Sequence, residues 1–256
     1  MPDLDRLLED GVLWLVLNRP EVGNAMDGTL SDHLAVELED AQLDETVRTV
    51  VVTGSGTSFC SGADISGSDA HERFDVTALD RANRIIRALT HLDKPVIAAV
   101  NGVAAGVGAS IAFAADLAVA TESARFVLAF ARIGLMPDGG SSATIAAAAG
   151  RSRAMRMALL GDPLSATEAY AAGLVSHVVP DAEFGDLVID VARRVATGPP
   201  LAFAATKKAI NAATLGHLEA ALERERTGQS ILLRTDDAAE GMAAFAEKRR
   251  PNFHGL

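Results

Sequence analysis

A single cysteine, Cys60, occurs in 256 residues. It excludes an intramolecular disulfide and leaves the cysteine-based zinc spacings unfilled, which fits a reducing compartment. Positive charge is also short: 23 Lys and Arg stand against 34 Asp and Glu, for a formal net charge of −11. A chain with that balance repels phosphate backbones at a distance, so nucleic acid is not an expected partner. No apolar run has the length of a membrane span, and the N-terminal MPDLDRLLEDG carries acids where a secretory signal would carry bases. No membrane partner is expected, and the expected location is cytoplasmic. The histidines, His33, His71, His91, His177, His217 and His254, show no metal-ligand spacing. No solenoid repeat or low-complexity linker is visible.

What is present is enough hydrophobic material, 49% of the residues, to fill a core without staples. Short apolar runs predict buried strands: VLWLVL at 12–17, TVVVTG at 49–54, PVIAAVNG at 95–102, LAVA at 117–120, RFVLA at 125–129 and LVSHVV at 174–179. Leu30, Leu34, Leu38 and Ala41 keep helical period, as do Leu79, Ala82, Ile85, Ile86 and Leu89. Strands alternating with helices predict an α/β fold. After Pro180 only helical patterns remain, so residues 1–195 are expected to form the core. Residues 196–256 are expected to form a helical region that packs on the body or on a neighbouring subunit. The polar loop DISGSDAHERFDV at 64–76 reads as a surface connection or a lid.

Two glycine-rich turns follow strands: GTSFCSGAD at 56–64 and NGVAAGVGASIAFAAD at 101–116. Small residues there serve close backbone packing, or they present N–H groups to a ligand. GVAAGVG at 102–108 also fits the G-x-x-x-G-x-G spacing of short-chain dehydrogenases. Against that, the turn arrives after a hundred residues, and Tyr170 has Leu174 where a Lys is needed. A dinucleotide site stands as an alternative. The other use is an oxyanion hole, two N–H groups aimed at one oxygen.

In ARIGLMPDGGSSATI at 131–145, Asp138 stands between an apolar run and two glycines. It reads either as the N-cap of the helix that follows or as an acid/base in an apolar pocket that raises its pKa. Asp116 reads as a local hydrogen-bonding group and Cys60 as small packing. Lys207 and Lys208, and Lys248, Arg249 and Arg250, read as solvated basic ends of helices.

Six segments in register carry a resemblance: LNRPEVGNAMD at 17–27, VVTGSGTSFCSGADI at 51–65, the Gly-Val-Gly turn with Asp116 downstream, IGLMPDGG at 133–140, PLSATEAYAAGLVSHVVP at 163–180 and FAEKRRPNF at 245–253. Together they resemble the enoyl-CoA hydratase/isomerase, or crotonase, superfamily along essentially the whole chain. The resemblance implies a spiral of ββα units with a C-terminal helical trimerisation region, assembled as a homotrimer or homohexamer. It implies an acyl-CoA substrate and no separate cofactor, coenzyme A entering as part of the substrate. The thioester oxygen would sit between the N–H groups of Ala63 and Val107. Val22, Gly62, Asp64 and Ile65 would meet coenzyme A, and Phe245 and Lys248 would reach coenzyme A bound to a neighbouring subunit.

The two glutamates used by hydratases of this family fall here at Ser110 and Phe130, so ordinary enoyl-CoA hydration is not expected. Isomerase branches place an acid/base at the position of Asp138, and a double-bond isomerase is the leading expectation. Ser110, Phe130, Leu135 and Met136, with His71 from the lid, would line the acyl pocket. An atypical hydratase in which Ser110 places water, another reaction of the family, and a non-catalytic acyl-CoA-binding protein are the alternatives.

Overall fold

The computed structural model describes residues 3–67 and 70–256. β1 (Leu4–Glu9) and β2 (Val12–Leu17) form an antiparallel hairpin and lead into α1 (Gly28–Leu43). Three turns of a spiral follow, each opening with a long strand and a short one. The first has β3 (Thr49–Gly54) and β4 (Ser58–Cys60), then α2 (Ala70–Arg73) and α3 (Val76–His91). The second has β5 (Val96–Val100), β6 (Val103–Ala105) and α4 (Val107–Ala114). The third has β7 (Leu117–Thr121), β8 (Arg125–Val127), a 3-10 turn (Ala129–Ile133) and α5 (Ser141–Leu160). β9 (Leu164–Ser165), α6 (Ala166–Ala171) and β10 (His177–Val179) complete the sheets, before α7 (Phe184–Ala196), α8 (Pro200–Thr214), α9 (Leu218–Leu232) and α10 (Asp236–Ala246).

The long strands form one sheet, β1-β2-β3-β5-β7-β10, parallel apart from the β1-β2 pair. The short ones form a second sheet, β4-β6-β8-β9. This is the expected α/β spiral of ββα units. Both faces of the larger sheet are covered, which is why its strands read as continuous apolar runs. Val50 and Val52 of β3 and Val96, Ala98 and Val100 of β5 join the main core, while Val51, Ile97 and Ala99 face α7 through Val188, Val191 and Ala192. α1 and α3 pack together over the main core, each with an aspartate at its N-cap: Asp27 accepts from Leu30 N–H and Asp75 from Thr77 N–H, both at 2.8 Å.

The polar loop at 64–76 contains the short α2; its residues 68 and 69 lie outside the described ones. Among the described residues, no helix is long and apolar enough to cross a membrane. In the C-terminal region, α9 packs on α3 and α5, and α10 on the 129–133 turn. Lys207 departs from the solvated reading. It is buried, pairs with Asp116 at 2.8 Å and donates to the carbonyl of Leu89 at 2.7 Å, near the end of α3. Asp116 also accepts from Val96 N–H at 2.7 Å, so it joins the start of β5 to α8 where only local bonding was expected of it. An ammonium at a helix C-terminus meets exposed carbonyls and the negative end of the dipole, so this lysine fastens α8 to the body.

Candidate active site

The two glycine turns lie against each other. A Cβ on Gly62 would fall 3.2 Å from the Ala105 carbonyl oxygen, and one on Gly106 would fall 3.6 Å from Gly62 Cα. Glycine is required at both positions, because both also have positive φ, 107° and 51°. An isolated parallel bridge joins Met26 to Ala63. It uses the groups on either side: Met26 N–H donates to the Gly62 carbonyl at 2.8 Å and Asp64 N–H to the Met26 carbonyl at 2.9 Å. Parallel pairing turns the N–H of Ala63 itself the other way. Val107 is the first residue of α4, where an N–H has no intrahelical partner. Among the described residues neither N–H is hydrogen-bonded, and both residues line one cavity of about 420 Å³. Two unpaired amide donors on residues that line one cavity are available to an oxyanion hole, which needs both aimed at one oxygen.

Asp138 is on the same wall, 6% exposed. It is not a helix cap. α5 starts at Ser141, and its N-cap, Gly140, brings no side-chain cap. Glu225 of α9 takes that role from across the fold, accepting from Gly140 N–H at 2.6 Å and Ser142 N–H at 3.0 Å. Removing it in Glu225→Ala leaves two donors at the start of α5 unpaired, and stability is expected to drop by about 2 kcal/mol, read as a shifted denaturant midpoint with unchanged slope.

With capping assigned elsewhere, the Asp138 carboxylate is held at one oxygen only. Oδ2 accepts from Gln229 Nε2 at 3.1 Å, and Oδ1 is buried with no partner among the described residues. Burial pushes the carboxyl up to about 7; the Gln229 bond opposes the rise and the nearby charge of Glu225 adds to it. An acid poised there exchanges protons readily at neutral pH. The other carboxylates on the wall are engaged. Asp27 caps α1 and pairs with Arg19 at 3.2 Å, and Asp75 caps α3. Asp64 pairs with Arg19 at 2.9 Å and accepts from Ser66; burial opposes ionisation there, but these bonds from Ser66 and Arg19 hold the carboxyl below its ordinary value.

Several other expected residues stand on the cavity wall: Val22, Gly62, Asp64, Ile65, Phe130, Leu135 and Phe245. Ser61 ties the 19–26 loop to the first glycine turn, its Oγ donating to the Val22 carbonyl at 3.0 Å. Phe245 reaches the cavity of its own chain, while Lys248 stands exposed beyond the end of α10. In the basic cluster, Arg249 is engaged internally with Glu240 and Glu247.

Three pocket expectations are corrected. Ser110 is fully buried off the cavity wall, and its hydroxyl donates to the carbonyl of Asp138 at 2.9 Å, so it braces the acid's backbone. Met136 turns its sulfur toward Gly228 on α9. His71 is held by the Leu233 carbonyl, 2.8 Å from Nε2. Gln229 and Glu225 were not singled out from the sequence. Their signal is a stripe of helical period, Leu218, Leu222, Glu225 and Gln229, in which two polar residues continue a buried apolar face.

A family model described as Enoyl-CoA hydratase/isomerase matches residues 8–255. The chain is 40% identical over 253 residues to the 1,2-epoxyphenylacetyl-CoA isomerase of Escherichia coli (strain K12), covering 97% of each chain. It is 37% identical over 244 residues to the 2,3-dehydroadipyl-CoA hydratase of the same organism, covering 95% of each. Among solved structures, an enoyl-CoA hydratase from Mycobacterium avium subsp. paratuberculosis K-10 superposes with a TM-score of 0.93 at 48% identity over 98% of each chain.

Proposed function

Because the chain belongs to the enoyl-CoA hydratase/isomerase family, we propose that it is an isomerase that shifts a double bond within the acyl group of a coenzyme A thioester. The observation that carries this reading is Asp138, a buried carboxylate with one oxygen unpartnered among the described residues, on the wall of a cavity also lined by Ala63 and Val107, whose N–H groups have no partner among those residues. In this mechanism the N–H groups of Ala63 and Val107 bind the thioester oxygen and hold the enolate charge. Asp138 removes the proton that the thioester activates, and returns it two carbons along. No water is consumed, so one carboxylate suffices, and coenzyme A arrives as part of the substrate. Val22, Gly62, Asp64 and Ile65 form the coenzyme A side of the cavity in this reading, with Phe130 and Leu135 on the acyl side.

The reading extends to assembly as a homotrimer or homohexamer through residues 196–256. Leu201 and Ile210, exposed on α8, are apolar positions that such an interface would cover.

The test offers the purified protein 3-enoyl-, 2-enoyl- and ring-epoxide thioesters of coenzyme A, with products followed by mass spectrometry. A product of unchanged mass with a moved double bond is expected. Gain of one water would make the protein a hydratase. Ligand binding without any conversion would leave a non-catalytic acyl-CoA-binding protein.

A further inference from the structure

Gln229 of α9 uses both ends of its side-chain amide. Its Oε1 accepts from Met136 N–H at 3.0 Å, and its Nε2 donates to Asp138 Oδ2 at 3.1 Å. The side chain is fully buried. An amide can be placed either way round unless its partners decide, and here one partner is a donor, so the nitrogen must face the carboxylate. The acid's main chain is clamped as well. Ser110 and Ser141 both donate to the Asp138 carbonyl at 2.9 Å, and Glu225, one turn before Gln229, holds the N–H groups of Gly140 and Ser142.

This arrangement distinguishes the two carboxylate oxygens. When the acid carries a proton, that proton occupies either Oδ1 or Oδ2. On Oδ2, the proton would take up one lone pair of the oxygen that accepts from Gln229 N–H and crowd a second donor against that bond, in a buried site where a weakened hydrogen bond is costly. On Oδ1, the proton faces no competing donor, and Oδ2 keeps accepting from the amide. We propose that Gln229 is a positioning residue that commits Oδ2 of Asp138 and so makes Oδ1 the oxygen that takes the proton from substrate and returns it. The inference rests on the isomerase reading and adds to it which atom works and which helix selects it.

Among the elements packed on Asp138, α4 presents Ser110, α5 presents Ser141, and α9 presents Gln229 with the titratable Glu225. Glu225 is unchanged in the variants below.

The test compares Gln229→Leu and Gln229→Glu with the parent on one substrate that the parent converts. Gln229→Leu removes the donor and the acceptor at similar volume. Its kcat is expected to fall about 10- to 100-fold with KM within about twofold, since the acid is misdirected while the cavity is kept. The acidic limb of its pH profile is expected to move up by about one unit, because a bond that favoured the ionised acid is gone. In Gln229→Glu, the introduced carboxyl accepts from Met136 N–H and, while protonated, donates to Oδ2. Activity is therefore expected to return partly in the pH window in which the Asp138 and introduced carboxyls share a single proton and to fall on either side of it, giving a bell where the parent has a plateau.

A role limited to packing would lower the unfolding temperature of both variants and leave kcat and both pH limbs at parental values, which would overturn the proposal. If Gln229→Leu does not fold, the pH profile of Gln229→Glu decides alone: a bell supports the proposal and a parental plateau removes it. Asp138→Asn is measured alongside. An inactive Asp138→Asn beside parental Gln229 variants removes only the role of Gln229, whereas an active Asp138→Asn removes the isomerase reading itself.

Discussion

Asp138→Asn is expected to lower kcat by about 100- to 10,000-fold while leaving the folded protein at least as stable as the parent. The amide keeps the size of the side chain and still accepts from Gln229, but it cannot take a proton from carbon. The stability side follows from the titration. The carboxyl ionises near its ordinary 3.8 in the unfolded chain and near 7 in the fold. Between those values the folded state retains a proton that the unfolded state has released, so the parent loses stability as pH rises from about 4 to about 7 and stays at the lower level above. The loss is on the order of 4 kcal/mol at about 1.4 kcal/mol per unit. The variant has no such loss, so its advantage in unfolding temperature should be absent at pH 4 and full at pH 8. The same titration sets the activity of the parent: Asp138 must be ionised to act as a base, and kcat/KM should fall as pH drops below about 7. Parental turnover by Asp138→Asn would end the assignment of this acid.

Val107→Pro is expected to lower kcat by about 100- to 1,000-fold, the usual cost of losing one oxyanion donor. A main-chain N–H is hard to delete without damage, but position 107 is favourable. It is the first residue of α4, where proline is well tolerated because the N–H has no helical partner. The preceding Gly106, at φ 51° and ψ −126°, lies outside the α region that proline disfavours in the residue before it. The substitution therefore removes one donor and a little packing, and far-ultraviolet circular dichroism should show the parental helix content. A variant that folds and keeps kcat within about threefold of the parent would show that the Val107 amide stabilises no charge in the reaction.

How much of this was legible in the sequence depends on what each segment buries. β3, β5 and β7 are covered on both faces, so Thr49–Gly54, Val96–Val100 and Leu117–Thr121 stand out as apolar runs. β1 does not, because it is an edge strand with Asp5, Arg6 and Glu9 exposed. β4, β6 and β8 have three residues each, too few for any alternation to show; β8 stood out only as part of the apolar run RFVLA, and β4 and β6 showed no such run. Asp138 was conspicuous as a lone charge in an apolar stretch, yet local sequence offered it a cap role as readily as a chemical one. That choice is made by Glu225, 87 positions downstream of 138, and no local pattern reports a cap supplied from another helix. Gln229 was hidden for the same reason: in ERERTGQS a polar residue looks solvated, and only the register with Leu218 and Leu222 places it inside.

The position of α9 in the chain also orders events during synthesis. Both sheets are complete by Val179, and most of the cavity wall has been made by then, whereas Glu225 and Gln229 come almost fifty residues later. A nascent polypeptide halted before Leu218 would carry Asp138 with neither oxygen committed and with α5 lacking its borrowed cap. Domains fold as units, and Leu218, Leu222 and Met242 belong to the same core as β3 and β5, so the last helices released by the ribosome complete that core and arm the acid together.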